Sequence, residues 1–398
     1  MPTQKQNSTT VTTSQLTKIE YHTNDLILNK YRIVKQLGTG GMSSIVYQAE
    51  DTTIKNDEFM ANKEKIVAIK VVNRDPTWTD ADWTKIHDEC VTSQRATNKK
   101  NIVNTYEVSK INNGNTIIIV MEFIDGISLH EHLEKIGNFS IKEAVYYFRH
   151  ILEAIKELHS FNEKIIHRDL KPENIMLTKD LMNIKIIDFG ISSVVVELEL
   201  TNDKKAITSE ESLFGTFPYI SPDLLKMRGK SATERQQIIS EQFDFFSLGV
   251  IFYEMLMGEK PFKIADEHDQ NVIKLPLTYD MMCISDINPT IPVAIENIIF
   301  RCLASKDSDL KFRYHSVNEI MDDLNNYSTT PEKSTFNKLL KPKNERTLQL
   351  TNTFNVQAQK LKEKFYEKPW FYWLLFSIAI VIVVVIIVLV SDHIINFP

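Results

Sequence analysis

One polar stretch in this chain of 398 residues has side chains suited to phosphoryl transfer. It reads His167-Arg168-Asp169-Leu170-Lys171-Pro172-Glu173-Asn174, and a second carboxylate follows in Asp188-Phe189-Gly190. Moving a phosphoryl group requires one carboxylate that orients the attacking hydroxyl, and oxygen ligands for the cations that bridge the phosphates. Asp169 is the candidate for the first role. Asn174 and Asp188 are candidates for the second, because Mg²⁺ prefers oxygen ligands, and Lys171 would neutralise charge on the transferred group.

The identities and spacing of this stretch resemble the catalytic and metal-binding loops of protein kinases. A single acidic residue would more commonly be a solvated loop residue, but the whole stretch is specific. Residues 26–325 are similar to the eukaryotic-type (Hanks-type) Ser/Thr protein kinases found in bacteria with a single membrane span. The resemblance implies Asp169 as catalytic base, ATP as phosphate donor, Mg²⁺ or its substitute Mn²⁺, and protein substrates with Ser or Thr hydroxyls.

The same resemblance implies an α+β chain with the bilobal protein kinase fold. Residues 26–124 would form a β-rich small lobe and residues 125–325 a helical large lobe, with the nucleotide in the cleft between them. The preceding residues 1–25 are rich in Ser, Thr and Gln, and we expect a flexible tail there.

A glycine-rich segment opens the small lobe and resembles the loop that folds over the phosphates of ATP. Glycine lets backbone N–H groups approach a phosphate because it has no Cβ. The third glycine of the family pattern is Ser43 here, and a plain hairpin turn is the alternative interpretation. A dinucleotide-binding turn would open a helix, whereas residues 44–49 continue as a β-type run. The segment consists of Leu37, Gly38, Thr39, Gly40, Gly41, Met42, Ser43, Ser44, Ile45 and Val46.

Lys70 ends the short apolar strand Val67-Ala68-Ile69-Lys70. By resemblance, Lys70 grips the α and β phosphates, although an edge strand with a solvated lysine has the same pattern. Its partner should be a glutamate on the next helix, predicted over residues 80–94. Glu89 lies closest to the family position, with Asp88 beside it, so we expect an ion pair between Lys70 and Glu89.

A buried strand over residues 116–122 leads into Phe123-Ile124-Asp125-Gly126. By resemblance this is the hinge between the lobes. Met121 would be the gatekeeper of the nucleotide pocket, and the backbone of Glu122 and Ile124 would bond the adenine edge. An ordinary core strand has the same pattern, and both interpretations can hold together.

The segment between Gly190 and Ser221 is rich in Ser, Thr and acidic residues and resembles an activation loop. Thr216 would belong to the substrate loop and bond Asp169 and Lys171, which indicates Ser/Thr specificity. Arg168 supplies a cation onto which a phosphorylated loop residue could dock. The candidate phosphorylation sites are Thr201, Thr208, Ser209 and Ser212.

Two acidic residues further along have expected structural roles. Asp223 replaces the usual glutamate of the family and is one methylene shorter, so its pairing with Arg313 is expected to be looser or bridged by water. Asp244 starts a long apolar helix. It could be a helix cap, but by resemblance it holds the backbone of the catalytic loop.

Residues 370–390 contain no charged side chain, and as a helix they would be about 31 Å long, which matches a hydrocarbon core of roughly 30 Å. Trp370, Tyr372 and Trp373 would form an interfacial belt at one edge. A buried core helix is the alternative, but the run is apolar on every face. We therefore predict a transmembrane helix, followed by a short extracytoplasmic tail at residues 391–398 and no outside ligand-binding domain.

The linker before this span, residues 326–369, carries nine Lys or Arg against four Glu, whereas residues 391–398 carry no Lys or Arg. The positive-inside rule then places the kinase domain in the cytoplasm and the C-terminus outside the cell membrane. The basic linker is expected either to contact anionic lipid or to act as a solvated tether.

Composition excludes several classes of protein. A net charge of −6 gives no reason to expect a nucleic-acid partner, and Cys90, Cys283 and Cys302 are too scattered for a disulfide framework or a zinc site. A pseudokinase-type membrane scaffold is the alternative function, and a small-molecule kinase is a third. Lys70 and the acidic and amide residues of the catalytic site have the competent side chains, which favours an active protein kinase. Autophosphorylation in trans would bring two copies together as a homodimer.

Overall fold

The computed structural model describes residues 18–40, 44–54, 65–188, 217–225, 230–261, 284–304, 309–329 and 339–340. Its N-terminal part is an antiparallel six-stranded sheet in the order β1-β2-β3-β4-β6-β5. The strands are β1 (Leu26–Ile27), β2 (Tyr31–Gly40), β3 (Ser44–Asp51), β4 (Ile66–Asn73), β5 (Thr105–Ile111) and β6 (Thr116–Glu122). The prediction of a β-type run after the glycine-rich turn is confirmed, because β2 and β3 form a hairpin in which Gly40 lies opposite Ser44.

The sheet is buried on both faces because its central strands β4 and β6 are mainly apolar. Ile69 and Val71 of β4 belong to a core cluster on one face. Ala68 and Val72 point to the other face, as the two-residue period of a strand requires. There they join a larger cluster that includes three buried residues of helix α1 (Asp80–Ser93), namely Trp83, Ile86 and Cys90. Packing on the sheet therefore fixes the helix that carries Glu89.

The rest of the described chain is mainly helical. A small sheet lies at its start, in the order β7 (Gly126–Ser128), β8 (Ile175–Thr178) and β9 (Ile184–Ile186). The helices are α2 (Leu129–Ile136), α3 (Ile141–His159), α4 (Pro222–Leu225), α5 (Ala232–Ile238), α6 (Gln242–Met257), α7 (Ile284–Ile287), α8 (Val293–Leu303) and α9 (Val317–Thr329). The β-rich and helical parts of the predicted fold are thus confirmed.

Local sequence explains where the site helices begin. The Thr79 side chain accepts a hydrogen bond from the Asp82 backbone N–H, and the Asp82 side chain accepts one from the Thr79 N–H. Ser140 and Glu143 form the same reciprocal capping box at α3. Each box satisfies N–H groups that lack partners in the first helical turn.

Helix α6 is the centre of the helical part, and its residues from Phe243 to Leu256 are all buried. Gly249 permits close contact with α8, because a Cβ at this position would lie 2.8 Å from Cys302 Cβ and 2.9 Å from Leu303 Cγ. This packing buries Asp244, which lies in the first turn of α6.

In the ranges that the structure describes, no helix is long and apolar enough to cross a membrane. The predicted span, residues 370–390, lies outside these ranges.

Candidate active site

Asp244 holds the backbone of the catalytic loop through hydrogen bonds. The backbone N–H of His167 donates to Asp244 Oδ2 at 2.9 Å, and that of Arg168 donates to Oδ1 at 2.8 Å. His159, the last residue of α3, contacts Oδ2 through Nε2 at 2.7 Å. The expectation that Asp244 holds the loop backbone is therefore confirmed. Arg168 has a φ of 61°, so the two anchored N–H groups hold a backbone turn that an arginine seldom adopts by itself.

Asp169 lies at the centre of the site and is buried. Its Oδ2 accepts a hydrogen bond from Asn174 Nδ2 at 3.0 Å, and its Oδ1 lies 3.3 Å from Lys171 Nζ. Asn174 also donates to the Asp169 carbonyl at 2.8 Å. Three of the predicted residues are thus brought together, and the carboxylate predicted to be the base lies beside a lysine that can neutralise phosphoryl charge.

His167 supports this loop from behind and is fully buried. Burial lowers the pKa of its imidazole below the usual value, against the opposing charges of Asp244 and Asp169. A neutral ring suits its contacts, since one nitrogen lies 3.3 Å from the Ile187 carbonyl and the other lies 3.4 Å from the Asp169 N–H. His167 therefore connects the catalytic loop to the strand that leads to Asp188.

The expected ion pair between Lys70 and Glu89 is wrong for this structure. Lys70 Nζ instead lies 2.9 Å from Asp188 Oδ1, and Arg168 Nη2 lies 2.6 Å from Glu89 Oε1. Both pairs are largely shielded from water, since the exposed fractions of the side chains lie between 5% and 23%. The physical reason is competition. The cations of Lys70 and Arg168 and the carboxylates of Glu89 and Asp188 lie in one region. The position of α1 brings Glu89 to Arg168.

Asn174 and Asp188 fit a divalent cation. The side-chain amide of Asn174 is used by Asp169, and its Oδ1 receives no hydrogen bond from the residues that the structure describes. Asp188 offers a carboxylate in the left-handed backbone region, with φ 57°. One amide oxygen and one carboxylate suit a hard cation that takes its remaining ligands from water and phosphate.

The strand pairing places several of the nucleotide-binding candidates on neighbouring strands of the sheet. Val46 lies opposite Lys70 in the β3–β4 pair. Met121 is buried in β6 opposite Ala68, and Ile124 lies in the connection between β6 and β7. The predicted residues from Leu37 to Gly40 and from Ser44 to Val46 form the ends of the β2–β3 hairpin, whereas Gly41, Met42 and Ser43 lie outside the described residues.

The Asp223–Arg313 interaction is direct. Arg313 Nη2 donates to Asp223 Oδ2, and both residues are buried. The prediction of this pair is confirmed, but the expectation that it is looser or water-bridged is wrong. Burial of both partners compensates for the shorter aspartate side chain.

Other predictions fall on parts of the chain outside the described residues. These are Thr216 with its contacts to Asp169 and Lys171, and the four candidate phosphorylation sites Thr201, Thr208, Ser209 and Ser212. Phe189 and Gly190 also lie outside, so the structure describes Asp188 of that motif alone.

The side-chain contacts of Glu122 were not predicted from the sequence. Glu122 Oε2 accepts hydrogen bonds from Lys185 Nζ and Asn104 Nδ2, each at 3.0 Å. Neither partner stands out in the sequence, because a lysine in a short strand and an asparagine in a loop are both commonly solvated. His159 was missed as well, since its contact with Asp244 depends on the packing of α3 against α6.

The family of the chain follows from its similarity to known proteins. The sequence matches the protein kinase domain over residues 31–323. It is 37% identical over 376 residues to a protein of Mycoplasma genitalium described as a serine/threonine-protein kinase. The alignment covers 90% of this chain and 93% of that relative. The serine/threonine-protein kinase PknB of Lactococcus lactis is 31% identical, with 79% of this chain and 45% of the relative aligned. PrkC of Bacillus subtilis is 29% identical, with 75% and 40% aligned.

These matches agree with the geometry of the site. The buried carboxylate predicted to be the base lies beside a lysine, two oxygen ligands suit a divalent cation, and Lys70 of the six-stranded sheet reaches Asp188. ATP and a divalent cation are the cofactors that a protein kinase domain implies. The chain belongs to the protein kinase family and is a Ser/Thr protein kinase of the Hanks type found in bacteria.

Proposed function

We propose that this kinase is anchored in the cell membrane, transfers the γ-phosphate of Mg-ATP to Ser and Thr hydroxyls of proteins, and activates itself by phosphorylation in trans. Its kinase domain faces the cytoplasm and its C-terminus lies outside, with Mn²⁺ as a substitute for Mg²⁺. The observation that carries the activation part is the ion pair between Glu89 and Arg168.

The Glu89–Arg168 pair and the Lys70–Asp188 pair together withhold two groups from catalysis. Kinase activity requires the strand lysine to pair with the helix glutamate and the second aspartate to be available to the cation. Here Glu89 pairs with Arg168, and Lys70 pairs with Asp188. The described arrangement therefore supports a resting state in which both requirements are unmet.

A phosphate near Arg168 would reverse this pairing. A phosphorylated hydroxyl carries about −1.5 to −2 charges and three acceptor oxygens, so it competes with the single carboxylate of Glu89 for the guanidinium. Once released, Glu89 can pair with Lys70, and Asp188 then becomes available to the cation. Activation by a phosphate in the segment between Gly190 and Ser221 follows from this exchange of partners.

We predict that this phosphate is added in trans. An Asp169→Asn copy carrying a larger tag, mixed with an active copy, is expected to gain phosphate on one or more of Thr201, Thr208, Ser209 and Ser212. Labelling should be faster for both full-length proteins in vesicles than in detergent at equal bulk concentration, because confinement raises the effective concentration. Mass spectrometry maps the sites.

Two results would contradict this activation model. One is an inactive copy that stays unlabelled on the loop, and the other is unchanged substrate turnover after all four residues are replaced by Ala. The control replaces Thr23 and Thr77, two exposed residues outside that segment, by Ala and should leave turnover unchanged. The kinase assignment stands independently of these outcomes.

The membrane anchor is supported by the uncharged residues 370–390 and by the basic linker 326–369, with nine Lys or Arg against four Glu. A helix of this length matches the hydrocarbon core of a bilayer. The basic side chains are expected to remain on the cytoplasmic side, where anionic lipid also attracts them.

We predict the topology directly. Protease added to intact cells should leave the kinase domain uncut, while a tag placed after Pro398 should be cleaved or labelled from outside. A tag before Met1 provides the matched control and should become accessible only after lysis. A protected C-terminal tag with a digested kinase domain would reverse the orientation, and a protein released by high salt would exclude the anchor.

A further inference from the structure

Three side chains from separate elements meet at the start of the hinge, and we refer to Asn104, Glu122 and Lys185 as the hinge triad. Glu122 Oε2 accepts hydrogen bonds from the Asn104 backbone N–H at 3.2 Å, from Asn104 Nδ2 at 3.0 Å and from Lys185 Nζ at 3.0 Å. Asn104 precedes β5, Glu122 ends β6 and Lys185 lies in the middle of β9. The triad therefore connects both sheets to the hinge.

Burial strengthens these contacts. The side chain of Glu122 is 25% exposed and that of Lys185 is 16% exposed. Hydrogen bonds between charged groups are stronger than neutral ones, and partial exclusion of water reduces their screening. The triad is thus a fixed contact, unlike an ion pair between mobile surface side chains.

The backbone around the triad is clamped as well. Lys185 Nζ also donates to the Ile102 carbonyl at 3.1 Å. The Val103 N–H donates to the Ile186 carbonyl at 3.0 Å, and the Ile186 N–H donates to the Asn101 carbonyl at 2.9 Å. The loop over residues 101–104 is therefore attached to β9 on one side, and on the other its Asn104 carbonyl accepts the Glu122 N–H at 2.9 Å.

The triad connects the segment predicted to bind adenine with the strand that leads to the predicted cation ligand. Glu122 begins the connection predicted to bond adenine, and β9 leads through Ile187 to Asp188, which is predicted to bind the cation at the phosphates. Lys185 is the side chain that joins these two ends directly. Without it, the hinge and the strand before Asp188 would still be coupled through the loop over residues 101–104 and through the sheet β7-β8-β9.

We propose that Lys185 is a positioning residue for the nucleotide: through Glu122 it fixes the spacing between the adenine-binding hinge and the cation-binding Asp188. It acts through Glu122 and the strand, and it does not touch the transferred phosphate. The proposal rests on the kinase activity alone and is independent of membrane anchoring and loop phosphorylation.

The test uses the full-length chain and two readouts. Lys185→Met is expected to weaken binding of ADP with Mg²⁺, measured by calorimetry, about tenfold, because a hinge released from Lys185 must be ordered when the nucleotide binds. The KM for ATP should rise by a similar factor while kcat changes less than about twofold, because the chemical groups at Asp169 are untouched. Lys185→Arg keeps the cation and should restore most of the affinity.

A double-mutant cycle separates positioning from general damage. Glu122→Gln should weaken ADP binding like Lys185→Met, and the combined variant should be no weaker than either alone, because both remove the same contact. Lys179→Met is the matched control. That lysine lies in the connection between β8 and β9, is 83% exposed and lies 3.8 Å from Asp125, and its loss should leave ADP binding unchanged.

Several outcomes would overturn the proposal. These are ADP affinity unchanged in Lys185→Met, additive losses in the cycle, or an equal loss in Lys179→Met. A rise in kcat with unchanged KM would show that the triad restrains the enzyme and does not position the nucleotide. If Lys185→Met fails to fold, Glu122→Gln decides, since it keeps side-chain size and removes the charge that Lys185 contacts. Failure of the kinase assignment would differ, because the unmodified chain itself would transfer no phosphate.

Discussion

Replacing Asp169 by Asn is expected to slow phosphoryl transfer at least ~10²-fold. The asparagine keeps the shape of the side chain but cannot take the proton of the substrate hydroxyl. The site is arranged for a carboxylate, since Asn174 donates to one oxygen at 3.0 Å and Lys171 Nζ lies 3.3 Å from the other. Measurement of phosphate transfer from radiolabelled ATP to the chain itself, at saturating ATP, reports the rate.

The control for this prediction is Asp322→Asn. Asp322 lies on the exposed side of α9, away from the predicted site, so transfer should be unchanged. Nucleotide binding by Asp169→Asn should also be retained, because Asp169 acts on the hydroxyl and not on adenine. Undiminished labelling in Asp169→Asn would remove this residue as the base.

Replacing Asp244 by Ala is expected to lower the free energy of unfolding by roughly 3–5 kcal/mol, the range for breaking one partner of a buried polar pair. The Asp244 side chain is completely buried. Its loss would leave the N–H groups of His167 and Arg168, and the ring of His159, without their acceptor. The catalytic loop would then lose its anchor, so phosphate transfer should also fall.

The measurement is urea denaturation of the full-length variant, with Asp322→Ala on the exposed side of α9 as control. Asp244→Asn keeps the shape and one acceptor oxygen and should cost less. Ordinary surface substitutions change the free energy of unfolding by less than about 1 kcal/mol. A change of that size in Asp244→Ala would show that the loop does not depend on this residue.

The stabilisation from Asp244 should depend on pH. Burial alone raises the pKa of this carboxyl, but the hydrogen bond and charge of His159, together with His167, outweigh burial and hold the pKa below its usual value. A carboxyl with a lowered pKa in the folded state stabilises the protein above its unfolded pKa. That contribution is lost as the pH falls through the lowered pKa. The same denaturation series in acid should therefore show a smaller difference between Asp244→Ala and the unmodified chain.

Much of the catalytic loop could be predicted because its chemistry is local. Asp169, Lys171 and Asn174 lie within a few residues, and their spacing along the chain brings their side chains together in one turn. The β2–β3 hairpin could be predicted for the same reason, since a glycine-rich turn between two β-type runs specifies it. The role of Asp244 needed the family resemblance, because the loop that it holds is distant in sequence.

Partner choice among charged groups could not be predicted in this way. The distance between Glu89 and either cation depends on how α1 packs on the sheet through Trp83, Ile86 and Cys90. A shift of that helix would exchange one ion pair for another, and alternative conformations of a protein commonly differ by only a few kcal/mol. The directness of the Asp223–Arg313 contact is likewise set by the burial of both residues.

The sequence by itself therefore determined the reaction and the division into a β-rich and a helical part, and it predicted the base and the two cation ligands. These depend on residue identity at fixed spacing and on hydrophobic pattern. The tertiary structure alone decided that Lys70 pairs with Asp188, that Glu89 pairs with Arg168, and that Glu122 joins Lys185 to Asn104. The physical reason is that an ion pair depends on the distance between elements packed in three dimensions, and no local pattern in the chain encodes that distance.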